Sequence, residues 1–149
     1  MQSETAYGGT INKESNLWNG NINYPVQCCE TGLTETQGCS HGYWKNVKQH
    51  PWPSDYSTTD SLSVYFGDFS PNLTLLGELK YNGNDWKSKL ARKAVAALLN
   101  AESGMNYPLS VDEIKSRVSN KFQSGNESSI KYLHTQLENY NANNNFPLN

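Results

Sequence analysis

Residues 85–104 read DWKSKLARKAVAALLNAESG, and this stretch decides the fold. Asp85 is a residue type that caps helix N-termini, and Gly104 is one that stops helices. Between them Trp86, Leu90, Ala94, Ala97, Leu98 and Ala101 recur at the 3.6-residue period, while Val95 and Leu99 widen the apolar stripe. The small side chains of Ala97 and Ala101 allow another element to approach closely. The spacing predicts the central helix of a core.

The sequence around this helix is also helical in pattern. NLTLLGELK (residues 72–80) reads as a short helix with Leu73, Leu76 and Leu79 on one side. In PLSVDEIKSRVSNKFQSG (residues 108–125), Ser110 and Glu113 form a capping box. Val111, Ile114, Val118 and Phe122 make a narrow stripe, and Gly125 ends it. SSIKYLHTQLENY (residues 128–140) places Ile130, Leu133, Leu137 and Tyr140 on an inward face. The tail NANNNFPLN does not continue that helix far, and Phe146 and Leu148 are expected to tuck back onto the core.

Residues 1 to about 70 show no helical period. They are rich in Gly, Asn, Thr, Ser and Pro, with scattered aromatics: Tyr7, Trp18, Tyr24, Tyr43, Trp44, Trp52 and Tyr56. GNINYPV (20–26) and SLSVYFG (61–67) alternate as strands do, Pro25 marking the first as an edge. The expectation is a mainly α fold with a long irregular N-terminal half and few short strands. Three to four C-terminal helices pack around the Ala/Leu-rich one. With 149 residues the chain fits a single domain: an extended N-terminal segment over 1–36 and a helical core over 37–149.

Composition narrows the function classes. Apolar residues make up 36%, but 11% aromatics argue against disorder despite a mean hydropathy of -0.74. Nineteen asparagines supply much of the polarity and favour turns and caps. A net charge of -2 gives no basic excess for phosphates, so nucleic acid is a poor partner. No apolar run approaches the ~20 residues of a membrane span, so no membrane insertion is expected. The start MQSETAYGGTINKES has neither a basic nor an apolar leader region. The expectation is an extracellular or cell-surface chain whose signal peptide has been removed, with Met1 in its place; cytosolic synthesis is the alternative.

The densest chemistry lies in CSHGYWKNVKQHPWP, residues 39–53. Cys28, Cys29, Cys39 and His41 are a weak zinc set, because adjacent cysteines and a Cys-x-His pair lack the usual ligand spacing. Three cysteines are an odd number; one disulfide from Cys39 to Cys28 or Cys29, closing a short loop, is favoured over metal. His41, His50 and His134 are candidate bases, but His134 beside Leu133 and Leu137 reads as a satisfied packing residue. Glu30, Glu35, Asp55, Asp60, Asp68, Glu78 and Asp85 show no spacing that selects an acid pair. No nucleophile elbow, His-Glu-x-x-His helix or phosphate loop is present in the sequence. A hydrolase is therefore the least favoured reading, and no cofactor is expected. Trp18, Tyr24, Trp52 and Tyr56 on loops suit stacking on sugars, although burial as core is favoured for the same aromatics. Asn72 and Asn126 head N-glycosylation sequons, a weak signal in an Asn-rich chain.

GCSHGYWKN (38–46) with HPWP (50–53), LTLLGEL (73–79), LARKAVAALLNAESGMNYPLS (90–110) and the closing Pro147-Leu148 carry a resemblance. The chain resembles, over residues 37–148, a family of secreted and cell-surface microbial domains with a Cys-x-x-Gly-Tyr-Trp-Lys-Asn motif. That motif is Cys39, Gly42, Tyr43, Trp44, Lys45 and Asn46 here. The resemblance implies a module of extracellular proteins with no named activity. The family pattern has Thr-Pro where this chain has Ser40-His41, and Cys-Pro-Leu where it has Phe146-Pro147-Leu148. If the family's closing cysteine pairs with the motif cysteine, Cys39 must find its partner at Cys28 or Cys29. Gly42 is expected at a turn or close approach, Tyr43 and Trp44 as anchors on the central helix, and Lys45 and Asn46 as partners of nearby backbone groups. The expected function is a non-enzymatic structural module binding other protein subunits or itself through the segment before Cys28. Glycan binding is the alternative.

Overall fold

The computed structural model describes residues 36–142. The protein is mainly helical there. Six helices follow in order: α1 (His41–Lys45), α2 (Leu62–Phe66), α3 (Leu75–Lys80), α4 (Trp86–Glu102), α5 (Val111–Ser124) and α6 (Glu127–Asn141). Strand pairing among the described residues is one isolated bridge between Ser61 and Thr74. No helix there is long and apolar enough to cross a membrane.

Each helix begins where a side chain can accept from its orphan amides. Asp85 caps α4 through Ser88 N, and Asn126 caps α6 through Ser129 N. Ser110 and Glu113 complete the capping box of α5. Gly104 and Gly125 follow α4 and α5 with φ of +87° and +65°, a conformation that costs other residues strain.

Helix α4 is the hub, touching α1, α3, α5 and α6. Every residue from Ala94 to Asn100 is buried. A helix apolar nearly all round belongs in a core, and its alanines let neighbours approach. From α5, Ile114, Val118 and Phe122 reach inward; from α6, Ile130, Leu133 and Leu137 do so. Each such side chain stabilises the fold by about 1.5–3 kcal/mol on leaving water.

Two local readings change. SLSVYFG is helical, not a strand. A strand would put Leu62, Val64 and Phe66 on one face. Instead Leu62 and Phe66, one helical turn apart, are buried, while Val64 is 69% exposed. The Ser61 hydroxyl caps this turn, and Phe66 packs edge-on to Phe122 of α5. In α3 the inward face is Leu75, Glu78 and Leu79, with Leu73 preceding the helix and Leu76 half-buried. The Thr74 cap sets that phase. The strand reading of GNINYPV and the docking of Phe146 and Leu148 lie outside the described residues.

The motif glycine is also reassigned. Gly42 lies within α1, and a Cβ there would meet only Ser40 Oγ, at an ordinary 3.6 Å. The glycine that close approach demands is Gly38, where a Cβ would sit 2.1 Å from the Tyr140 carbonyl oxygen and 3.0 Å from Asn141 Cα. Backbone rather than a flexible side chain blocks it. Gly38→Ala should therefore cost about 1–3 kcal/mol in urea unfolding. Gly42→Ala should be neutral or stabilise by up to about 1 kcal/mol. The reverse order would refute the assignment.

Candidate functional site

The main buried tie between the Cys39–Trp44 segment and α4 is the Asn100 side chain. Its Oδ1 accepts from Cys39 N at 3.0 Å and from the Trp44 indole Nε1 at 2.8 Å. Its Nδ2 donates to the Cys39 carbonyl at 2.9 Å and to Asn141 Oδ1 at 3.1 Å. That uses both acceptor directions and both donors of the amide. Asn141 Oδ1 also accepts from the Tyr107 hydroxyl at 2.6 Å, and its Nδ2 donates to the Lys93 carbonyl at 3.1 Å. The Ser103 hydroxyl donates to the Asn100 carbonyl. Asn100, Asn141, Cys39 and Trp44 are all essentially buried, so each bond replaces water that the site excludes.

Around this network the motif wraps into α1. Ser40 caps it, and the Asn46 amide N–H closes it on the Tyr43 carbonyl. The loop reading of the motif is thus corrected to one short helix, because Ser40 supplies a cap. Tyr43 packs edge-on to Trp44 and stacks on His50 with centroids 3.7 Å apart. The Trp52 indole donates to the Trp44 carbonyl at 2.9 Å. Lys45 and Asn46 are exposed, and Asn46 donates its side-chain amide to Gln49. Upstream, Gln37 N donates to the Asn106 carbonyl at 2.8 Å, and Gln37 Oε1 accepts from Asn106 N at 2.9 Å.

His41 faces α4 and α6. Lys93 Nζ lies 3.2 Å from its Nδ1, and Glu138 Oε2 lies 3.6 Å from Lys93 Nζ. Burial, then the charges of Lys93, Arg92 and Lys45, lower the His41 pKa to about 4. The ring is neutral near pH 7 and accepts from the ammonium. Burial also lowers Lys93, with Glu138 opposing. No group of three or more His, Cys, Asp or Glu side chains among the described residues is placed to hold a metal. Cys28 and Cys29 of the zinc set lie outside them.

A second polar cluster is a buried carboxyl. Glu78 is wholly enclosed; its Oε2 accepts from the Ser88 hydroxyl at 2.6 Å and stands 3.8 Å from Arg92 Nη1. Its Oε1 has no hydrogen-bond partner among the described residues. Desolvation outweighs Ser88 and Arg92, and the pKa rises to about 7. A third is a carboxyl pair: burial and then a hydrogen bond to Asp55 raise Glu102. His134 packs edge-on to Trp86, but its Nδ1 is buried with no hydrogen bond among the described residues, so the satisfied-packing reading is corrected.

Of the sugar-platform candidates, Tyr56 is buried in the core and Trp52 is half-buried with its N–H bonded. Trp18 and Tyr24 lie outside the described residues. The sequon residues Asn72 and Asn126 are both exposed. Sequence reasoning missed Asn100, Asn141, Tyr107 and Glu102. The available signal was Asn100 itself, a polar residue within the apolar run AALLNA. Comparison with family models, curated proteins and solved structures gives no match to this chain.

Two outcomes are expected. Asn100→Ala strands three buried groups, Cys39 N, the Cys39 carbonyl and the Trp44 indole N–H, at about 1–3 kcal/mol for each, less any relaxation, while Asn141 Oδ1 keeps the Tyr107 hydroxyl. The variant should lose about 3–5 kcal/mol in denaturant unfolding, with the Trp44 emission shifted toward the exposed position even below the transition. For Glu78, a folded pKa above the ordinary 4.5 means that the native state holds its proton more tightly than the unfolded chain. Stability from this group is complete below pH ~4.5 and is lost as pH rises through about 7. Glu78→Gln should therefore exceed the parent by about 3 kcal/mol at pH 8, the advantage vanishing near pH 4.5 in paired urea titrations.

Proposed function

We propose that this chain is a non-enzymatic, single-domain extracellular or cell-surface structural module of the Gly-Tyr-Trp-Lys type. Its helical core packs around α4, and its long N-terminal segment joins another protein or a second copy. The observation that carries the reading is the anchorage of residues 37–39. Gln37 pairs twice with Asn106, Gly38 lies against the end of α6, and Cys39 is held through both its N–H and its carbonyl by Asn100. Such a footing fixes the root of whatever precedes it. The polar stretch ahead of Cys28 is the part that adds to a neighbour. The Cys39 backbone, the Trp44 indole N–H and the Tyr43 ring serve internal contacts, which suits a clamp better than a reaction centre. A disulfide from Cys39 to Cys28 or Cys29 braces the same root.

Multi-angle light scattering of the full chain should show mass rising with concentration. Deletion of residues 1–27 should leave a folded monomer at every concentration. A full chain that stays monomeric throughout contradicts the assembly. Intact mass with and without reductant should differ by two hydrogens per chain for the disulfide; no difference contradicts it.

A further inference from the structure

The segment joining α3 to α4 carries Tyr81-Asn82-Gly83-Asn84. Its hydrogen bonding is uneven. Arg92 Nη1 donates to the Tyr81 carbonyl at 2.6 Å, and Nη2 donates to the Gly83 carbonyl at 3.3 Å. The same guanidinium stands 3.8 Å from the buried Glu78 carboxyl. Between the two held carbonyls, Asn82 is exposed and irregular, and no hydrogen bond among the described residues ends on its side chain or on Gly83 N. Gly83 lies against the Tyr81 ring, where a Cβ would come within 2.3 Å of Cε2, so the position favours glycine.

We propose that Asn82–Gly83 is a site of spontaneous covalent modification in the folded protein, converting the asparagine to aspartate and isoaspartate. The Gly83 amide nitrogen, having lost its proton to solvent base, attacks Asn82 Cγ; a C–N bond forms, and ammonia leaves with a proton from solvent. Water then opens the resulting succinimide at either carbonyl, giving a carboxylate on the side chain or in the main chain. No oxidant or cofactor enters. Three features favour the reaction. Glycine offers no side chain to block the approach. Among the described residues, the attacking nitrogen and the target amide have no competing bonds. The Arg92 cation beside the segment stabilises the amide anion that attacks. The product adds one negative charge. In isoaspartate it also adds one carbon to the main chain between the two carbonyls that Arg92 holds, which breaks their spacing and frees the guanidinium toward Glu78.

The test is incubation of the full chain in mildly alkaline buffer at physiological temperature, followed by peptide mapping with isoaspartate detection. A parallel sample is held unfolded in urea. Position 82 should gain one dalton in the folded chain at a rate within a few-fold of the unfolded one, while Asn72 and Asn126 stay unchanged. Conversion more than tenfold slower in the folded chain would overturn the proposal, since the fold would then protect the site. Arg92→Gln should slow conversion in the folded sample and leave the urea sample unaffected; equal slowing in both, or none, would refute the role of the cation. The isoaspartate fraction, isolated by ion exchange, should melt below the parent. Identical melting would contradict the link to Arg92.

Discussion

The hydrogen bonds of Asn100 are the constraint on which the rest of the structure depends. A primary amide has two donors and two acceptor directions, and here all four are used by three residues, Cys39 and Trp44 of the motif segment and Asn141 of α6. The peptide at Cys39, the indole of Trp44 and the end of α6 can meet α4 together only if a side chain of that length and polarity stands at position 100. Burial makes the arrangement cooperative. Once water is excluded, a bond left unmade costs more than a bond made contributes, so the network forms as a unit or not at all. Gly38 reflects the same geometry, because the chain entering Cys39 must pass directly against the Tyr140 carbonyl.

Much of the helical half was legible because its cues are local. Asp85, Ser110 and Glu113 act as caps where their residue types said they would, and the 3.6-residue stripes of α5 and α6 point inward. Where alternation and helical spacing competed over five residues, as in SLSVYFG, the sequence held too few positions to separate the two periods. The motif posed another difficulty. Its unusual residues drew attention to His41, Gly42 and Cys39, whereas its placement is governed by Asn100, Asn141 and Tyr107, which lie 34 to 61 residues from their partners. A long-range bond leaves no periodic trace. A lone Asn in an apolar run signals only that some partner exists. Trp18, Tyr24, Cys28 and Cys29 stay at the level of sequence, outside the described residues.

Two titratable groups give the core opposite responses to acid. Neutral His41, with a pKa near 4, must take up a proton against burial and then against the charges of Lys93 and Arg92, so its contribution is lost as pH falls below the ordinary histidine range. Glu78 responds in reverse and is most comfortable when protonated. Both sit on elements packed against α4, where Arg92 and Lys93 are neighbours in sequence. The basic face of the central helix thus links the motif turn to the α3–α4 connection. It adds to burial, the larger cause, in keeping His41 unprotonated on one side, and it partly offsets the desolvation of the Glu78 carboxyl on the other.

The motif is held to the helical core through the Asn100 amide rather than by apolar packing alone. A double-mutant cycle of Asn100→Ala and Trp44→Phe, read by urea unfolding, measures that directly, because Trp44→Phe removes the indole donor while retaining a ring. Strong non-additivity is expected, with a coupling of at least about 1 kcal/mol and the double variant more stable than the sum of the singles implies. Additivity to within about 0.5 kcal/mol would mean that the two residues act independently, and would contradict it.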